Sequence, residues 1–372
     1  MVLGIDASQA NRKIRSGTEW YAFYLISEII KLLKDRPDVK VRLYVRDPLQ
    51  GDLVKNFSAQ GGPASGWEVK ILKWPFAYFW GQIRLSVEML FNPPDVLFCP
   101  AHTIPVIHPK KTFTTLHDVG FRDNPELYDK LSLWYHRFSA WFAIKKAAHI
   151  FTVSEFSKQR IVANYNSDPN KISVTYLGAY QKSSAEDNWQ GIIEELGLKS
   201  KNYILYIGRL EPKKNILNMI KGYEMSGLAM PFILAGRKIR IDDVESYLRE
   251  RPELKSRVRF LNYISETDKD ALYRGAAIFL FATLYEGFGL PILEAQATKT
   301  PVITSDTASN PEIAGGGAVL VNPNNPQEIA GAIKQVISNS VLATELVEKG
   351  LENIKRFSWQ ETADKTWKIL SK

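Results

Sequence analysis

Two glutamates separated by seven residues, Glu286 and Glu294, enclose the run Gly287-Phe288-Gly289-Leu290-Pro291-Ile292-Leu293. Pro291 suits the first turn of a helix, where a missing N–H costs nothing, and the two glycines let the backbone before it approach a ligand closely. The stretch reads as a helix N-terminus open to an anion or a hydroxyl-rich ligand. Glu294 is expected in that first turn and Glu286 on the loop before it, so one carboxylate could hold a sugar and the other a ribose. The same residues would also make a helix-dipole partner, a solvated loop carboxylate and a tight turn. A glycosidase pair, with carboxylates about 5 or 9 Å apart, would need a matching partner across an open cleft.

Three further groups carry chemistry. In Gly208-Arg209-Leu210-Glu211-Pro212-Lys213-Lys214-Asn215, Arg209 offers a planar fork for phosphate oxygens and Lys214 a mobile point charge. Together they could neutralise a diphosphate and stabilise it as a leaving group without a metal. An exposed basic loop is the plain alternative. In Leu116-His117-Asp118, the imidazole of His117 could bond a sugar hydroxyl or manage an acceptor proton, although His102, His108 and His149 show how little one histidine establishes. In Ser16-Gly17-Thr18-Glu19, Gly17 would let a ligand lie against a helix N-terminus. The three-glycine dinucleotide fingerprint is missing there, which disfavours a hydride-transferring enzyme.

Such residues act only if elements bring them together. Short β-branched and aromatic runs alternate with longer segments of helical period, the pattern of βαβ units and parallel sheets. In the first half the strand candidates are Val2–Ile5, Val41–Arg46, Val69–Leu72, Val96–Cys99, Phe113–His117, Ile150–Ser154 and Ser173–Tyr176. In the second they are Tyr203–Gly208, Phe232–Gly236, Val258–Leu261, Ile278–Ala282, Val302–Ser305 and Val319–Val321. Two similar α/β domains in tandem are therefore expected, with the linker in the polar stretch Gln181 to Asn188. Ligands bind beyond the carboxyl ends of parallel strands; the Gly208 and Glu286 groups follow one, His117 ends one, and Gly17 lies between the first strand and a helix. Two such domains facing each other would form one deep cleft.

Composition bounds the answer. At 372 residues and 45% hydrophobic, the chain can bury two cores. Its 48 Lys and Arg against 40 Asp and Glu give +8, which favours anionic partners. A single cysteine, Cys99, excludes an intrachain disulfide and a thiolate zinc cage and suits a reducing compartment, so a cytoplasmic location is expected. Val2-Leu3-Gly4-Ile5-Asp6 reads as a first strand rather than a secretion signal. No run approaches the roughly 18 apolar residues of a membrane span, so any membrane contact would be peripheral. Zinc spacing, a basic helix block and an RNA-binding aromatic motif are all missing, which argues against nucleic acid.

Taken together, Gly17 after the first strand, His117-Asp118, the Gly208 to Lys214 segment and the Glu286 to Glu294 segment resemble glycosyltransferase family 4. The stretch Thr152-Val153-Ser154-Glu155-Phe156-Ser157-Lys158 and the closing Phe357-Ser358-Trp359 match as well, so the resemblance runs nearly the whole length. It implies a GT-B fold with two Rossmann-like domains: residues 1–184, to which a final helix at 358–372 crosses back, for the acceptor, and residues 185–357 for the nucleotide-sugar donor. It also implies transfer with net retention and no metal or other cofactor. Arg209 and Lys214 match the diphosphate-binding pair, Glu294 the residue gripping the ribose, and Glu286 the one facing the donor sugar. The main chain of Gly287, Phe288, Gly289 and Leu290 would hold sugar hydroxyls and the distal phosphate. Tyr263-Ile264 resembles the loop that reads the base, and His117 a residue near the reacting centre. One departure is the single Gly17 where many relatives have two glycines. No residue stands out as a covalent nucleophile.

Glu211-Pro212-Lys213-Lys214-Asn215 and Leu116-His117-Asp118-Val119-Gly120-Phe121-Arg122 are similar to segments of mannosyltransferases that build bacterial polysaccharides. GDP-mannose is the first expectation for the donor and a glycan or lipid-linked molecule for the acceptor. A UDP-hexose such as UDP-glucose is the alternative donor. A GT-B epimerase or phosphorylase, or a non-catalytic nucleotide-sugar binding module, would be a different reading. Trp74, Phe76, Tyr78, Phe79 and Trp80 beside Lys70, Lys73 and Arg84 suit an anionic membrane interface, or else a core and an acceptor groove. A second basic and aromatic stretch, Trp134 to Lys146, could extend that patch or be an ordinary amphipathic helix.

Overall fold

The computed structural model describes all residues except 14, 16, 60–66, 77, 78, 180–187 and 263. The chain divides into two compact units, Met1–Gly178 with Ser358–Lys372, and Ala179–Phe357. The expected boundary at 184/185 and most of the expected linker lie outside the described residues.

The first unit is built on a seven-stranded sheet, and every pairing in it is parallel. Its strands are β1 (Val2–Asp6), β2 (Lys40–Val45), β3 (Glu68–Ile71), β4 (Val96–Cys99), β5 (Thr112–Thr115), β6 (His149–Thr152) and β7 (Ile172–Val174). The spatial order is β3-β2-β1-β4-β5-β6-β7. The chain thus steps outward from β1 to β3 and returns to start again at β4, leaving a crevice where the winding reverses. Central strands are apolar throughout, as burial on both faces demands; β4, Val96-Leu97-Phe98-Cys99, is fully buried.

The C-terminal helix Trp359–Leu370 packs on the helix Gly17–Leu32 of this unit. Ser358 caps it by accepting from Glu361 N, and the Trp359 ring stacks on Tyr24 at 5.2 Å. Gly178 marks the closeness of that seat: a Cβ there would come within 2.3 Å of the Trp359 ring.

The second unit repeats the plan with six strands, again all parallel: β8 (Ile204–Ile207), β9 (Phe232–Ala235), β10 (Val258–Leu261), β11 (Ile278–Phe281), β12 (Val302–Ser305) and β13 (Val319–Val321). Their order is β10-β9-β8-β11-β12-β13, so the reversal falls between β8 and β11. Its core gathers the four inner strands around Tyr206, Phe232, Phe279 and Phe281. At the carboxyl end of β9, Gly236 adopts φ 145°, and a Cβ there would lie 2.0 Å from the Gly208 carbonyl oxygen. A glycine is therefore required where β9 passes under the loop that leaves β8.

Candidate functional site

Beyond β8 and β11, the two strands that flank the reversal in the second unit, lie the segments singled out in the sequence. After β8 the chain runs through Gly208 and Arg209 into a single 3-10 turn, Pro212–Lys214. It is stopped by Asn215, which holds a left-handed conformation at φ 59°. The Asn215 amide donates to the carbonyls of Ala282 (2.9 Å) and Pro323 (2.7 Å), tying this turn to the end of β11. The Leu284 N–H donates to the Lys213 carbonyl at 3.0 Å, a second tie between the same loops.

Those ties set Lys214 against Glu286, Nζ to Oε1 at 2.6 Å, with both side chains about seven-eighths buried. Burial lowers the ammonium pKa, and the Glu286 carboxylate opposes that effect. An ion pair this close in a desolvated site persists only because each charge answers the other. Arg209, by contrast, is half exposed and reaches Glu211 at 3.2 Å. Three cations thus stand on one loop: Lys214 in a buried pair with Glu286, and Arg209 and Lys213 both beside Glu211, at 3.2 and 3.7 Å. An incoming diphosphate would compete with Glu286 and Glu211 for them.

The loop after β11 is held by groups beyond it. The single proton of the Ser309 hydroxyl is shared between the carbonyls of Glu286 (2.9 Å) and Phe288 (2.7 Å). Asn310, fully buried, donates to Thr283 Oγ1 and Ser305 Oγ. Its Oδ1 finds no hydrogen-bond partner and would sit 3.2 Å from a Cβ on Gly289. Gly289 is at φ 111° and leads directly into the helix Leu290–Ala297, with Pro291 in its first turn.

Glu294 corrects the sequence expectation. It stands in the second turn of that helix, since the first turn carries no acidic residue. The helix-dipole role, which requires the first turn, does not apply. Instead Glu294 is gripped by a neighbouring helix, Glu266–Gly275: Lys269 Nζ lies 2.7 Å from Oε1, and Tyr273 OH donates to Oε2 at 2.9 Å. Burial pulls the Lys269 pKa down, but the Glu294 and Glu266 carboxylates outweigh it and the net shift is upward. Burial, then the same Glu294 charge, raises the Tyr273 phenol. Ile264 precedes this helix and is half-buried; Tyr263, named with it for base recognition, lies outside the described residues.

In the first unit, His117 follows β5 and is 9% exposed. Its Nε2 is 3.1 Å from the Pro100 carbonyl oxygen. A carbonyl only accepts, so Nε2 carries the proton and Nδ1 is left as an acceptor. Burial lowers the pKa to about 4, against smaller opposing effects from that hydrogen bond and from Asp118. The ring is therefore neutral at pH 7. Tyr21 meets it edge-on at 4.6 Å, and Ser157 donates to its backbone carbonyl at 2.9 Å. The Thr152–Lys158 stretch noted in the sequence thus helps to seat His117. Gly17 opens the helix Gly17–Leu32, and a Cβ there would meet nothing within 4 Å. Packing does not demand glycine at that position. Ser16, beside it, lies outside the described residues.

A cavity of about 1040 Å³ lies in this unit where the winding reverses. Asp6, at the end of β1, faces it together with Arg12, Arg46, Gln50 and Gln82. Burial raises the Asp6 pKa, opposed by hydrogen bonds from Ser8. The aromatic cluster expected at 74–80 divides. Trp80 is buried, its Nε1 donating to the Leu72 carbonyl at 2.7 Å, whereas Phe76 and Phe79 are exposed and Tyr78 lies outside the described residues.

Asn215, Lys269, Tyr273 and Ser309 were not singled out individually in the sequence. Glu266, Lys269 and Tyr273 follow one another at helical spacings of three and four, the one signal that would have placed them on a common face. Among the described residues, no group of three or more His, Cys, Asp or Glu is arranged to hold a metal ion.

Known proteins are similar to this chain in sequence and in fold. Residues 17–179 match the family model described as Glycosyltransferase Family 4, and residues 190–353 that described as Glycosyl transferases group 1. The O-antigen chain mannosyltransferase B of Escherichia coli is 32% identical over 265 residues, 69% of each chain. The O-antigen chain mannosyltransferase RfbU of Salmonella typhimurium is 29% identical over 266 residues, 71% of this chain and 70% of that one. The crystal structure of Anabaena Alr3699/HepE in complex with UDP and glucose superposes with a TM-score of 0.74 at 19% identity, covering 100% of this chain and 99% of that one. With two parallel sheets of reversing order, basic and acidic loops meeting at the reversal of the second, and both family models matched in sequence, the chain belongs to glycosyltransferase family 4 and is a glycosyltransferase of the GT-B fold.

Proposed function

We propose that the enzyme transfers mannose from GDP-mannose to a glycan or lipid-linked acceptor with net retention and without a metal. The observation that carries the donor-site reading is the Lys214–Glu286 pair, 2.6 Å apart beyond β8 and β11 and on the same loop as Arg209. Arg209 and Lys214 supply the positive charge that a departing diphosphate requires. Glu286 faces the transferred sugar, Glu294 the ribose, and the Gly287–Leu290 main chain the sugar hydroxyls. Ile264 lies beside the base. Mannose is favoured because both curated relatives above are named as mannosyltransferases.

In the reaction the bond from the anomeric carbon to the phosphate oxygen breaks, and a bond to an acceptor oxygen forms on the same face. The acceptor proton passes to the departing phosphate. His117, neutral and with Nδ1 as an acceptor, orients a hydroxyl of the acceptor and does not donate a proton.

Calorimetry with GDP, UDP, ADP and dTDP tests the donor, followed by turnover of GDP-mannose with retention read by NMR of the product anomer. GDP binding alone and an α-linked product are expected. Preference for UDP would overturn the mannosyl reading and favour a UDP-hexose donor, and binding of none would overturn the donor site itself.

A further inference from the structure

The helix Lys130–Lys146 has an unusual environment. Ser139, Ala140, Ala143 and Ile144 face inward and are buried. On its other side Leu131, Trp134, Phe138 and Trp141 are 77%, 61%, 45% and 48% exposed. Their spacings of three, four and three put them on one stripe. Apolar residues thus occupy both sides of a helix of which only one is covered, and large exposed apolar stripes mark an interaction face.

The stripe is not isolated. Gln82 donates to Tyr135 OH at 2.7 Å, and the Phe79 ring lies 6.3 Å from Tyr135. These contacts bring alongside it the segment Trp80–Phe91, where Ile83, Val87 and Leu90 are also exposed.

Charge identifies the occupant. The helix carries no acidic residue, and Lys130, Lys145 and Lys146 stand exposed at its two ends. An apolar stripe with tryptophans, flanked by cations, fits a surface that is apolar within and anionic at its skin. It also adjoins the cavity of the first unit, since Leu131 and Trp134 line that cavity as well as the stripe. A polar cavity walled by Asp6, Arg12 and Arg46 would then open at the level of lipid headgroups. We propose that the Leu131-Trp134-Phe138-Trp141 face is a docking surface for an anionic lipid bilayer, with the helix lying in the plane of the headgroups. This rests on the helix and its neighbours alone and is independent of the donor.

Flotation of the full chain with phosphatidylcholine vesicles, with and without about a quarter phosphatidylglycerol, tests it. Phe138 and Trp141 do not line the cavity, so the double variant Phe138→Ser/Trp141→Ser removes only the stripe. Binding to anionic vesicles is expected to exceed binding to neutral ones by about tenfold, and to fall by about tenfold in that variant and in Lys145→Glu/Lys146→Glu. Circular dichroism and the thermal unfolding midpoint, compared with those of the parent, serve as the control for folding of both. Unchanged flotation in the serine variant would overturn the proposal. So would a wild-type chain that ignores anionic vesicles yet forms a dimer in sedimentation that the serine variant loses, because the stripe would then be an interface between copies.

Discussion

At the scale of single residues, the site is a set of charges already answered before any ligand arrives. Lys214 is paired with Glu286 at 2.6 Å, so in the proposed donor site a diphosphate competes for it. Neutralising that competitor in Glu286→Gln is expected to leave GDP affinity equal or stronger while lowering turnover by at least about tenfold. Weaker GDP binding in calorimetry would mean that Glu286 does not restrain Lys214. Lys214→Ala is expected to weaken GDP binding by about 1.5–3 kcal/mol, the range for a hydrogen bond to a charged group. His117 makes a pH prediction. Its folded pKa is about 4 and its ordinary value is 6.5, so between those values the unfolded chain binds a proton that the folded chain does not. Stability is fully present above pH 6.5 and declines as pH falls toward 4, by on the order of 1–3 kcal/mol. Urea denaturation at pH 5 and pH 7 should show a smaller difference for His117→Gln than for the parent; an unchanged difference would place the titration elsewhere.

At the scale of elements, the thirteen expected strands all form, because buried parallel strands write their burial directly into apolar runs. Val96–Cys99, Val258–Leu261, Val302–Ser305 and Val319–Val321 keep their expected bounds, and the other strands shift by a residue or more at one end or both. The run Phe113–His117 was expected as one strand, but β5 is Thr112–Thr115 and His117 turns to meet Pro100. The candidate loops were legible because glycine, proline and charge cluster after strands. Their partners were not: Lys214 and Glu286 are 72 residues apart, and Asn215 reaches 108 residues to Pro323. No local period encodes such distances. The aromatic run at 74–80 also gave no sidedness: Trp80 packs into the core with Leu72 and Leu85 and donates to the Leu72 carbonyl, while Phe76 and Phe79 stay exposed. Backbone demands give a contrast between two glycines. Gly289→Ala, at φ 111° with Ile292 and Asn310 within 3.2 Å of the added Cβ, is expected to cost about 1–3 kcal/mol and to impair donor binding. Gly17→Ala meets open space, so thermal unfolding should be unchanged. A turnover loss in Gly17→Ala would then report a part in the reaction rather than strain.

At the scale of the whole molecule, the first unit is completed by a helix that follows the second unit in the chain. Trp359 is 4% exposed and stacks on Tyr24, so Trp359→Ala is expected to destabilise the first unit by about 3–5 kcal/mol. The second unit should be unaffected, and hydrogen exchange resolved by segment would separate the two. Uniform loss of protection in both would show that they unfold as one. The same arrangement sets an order of events on the ribosome. Domains fold as units while the chain is being made, and the segment Ala179–Phe357 emerges whole before Trp359 exists to be packed. The unit that contains the first residue is therefore the last to close. Until the final helix arrives, the groove around Tyr24 and Gly178 stays open, and nascent chains of this enzyme would present it as a binding site for a chaperone.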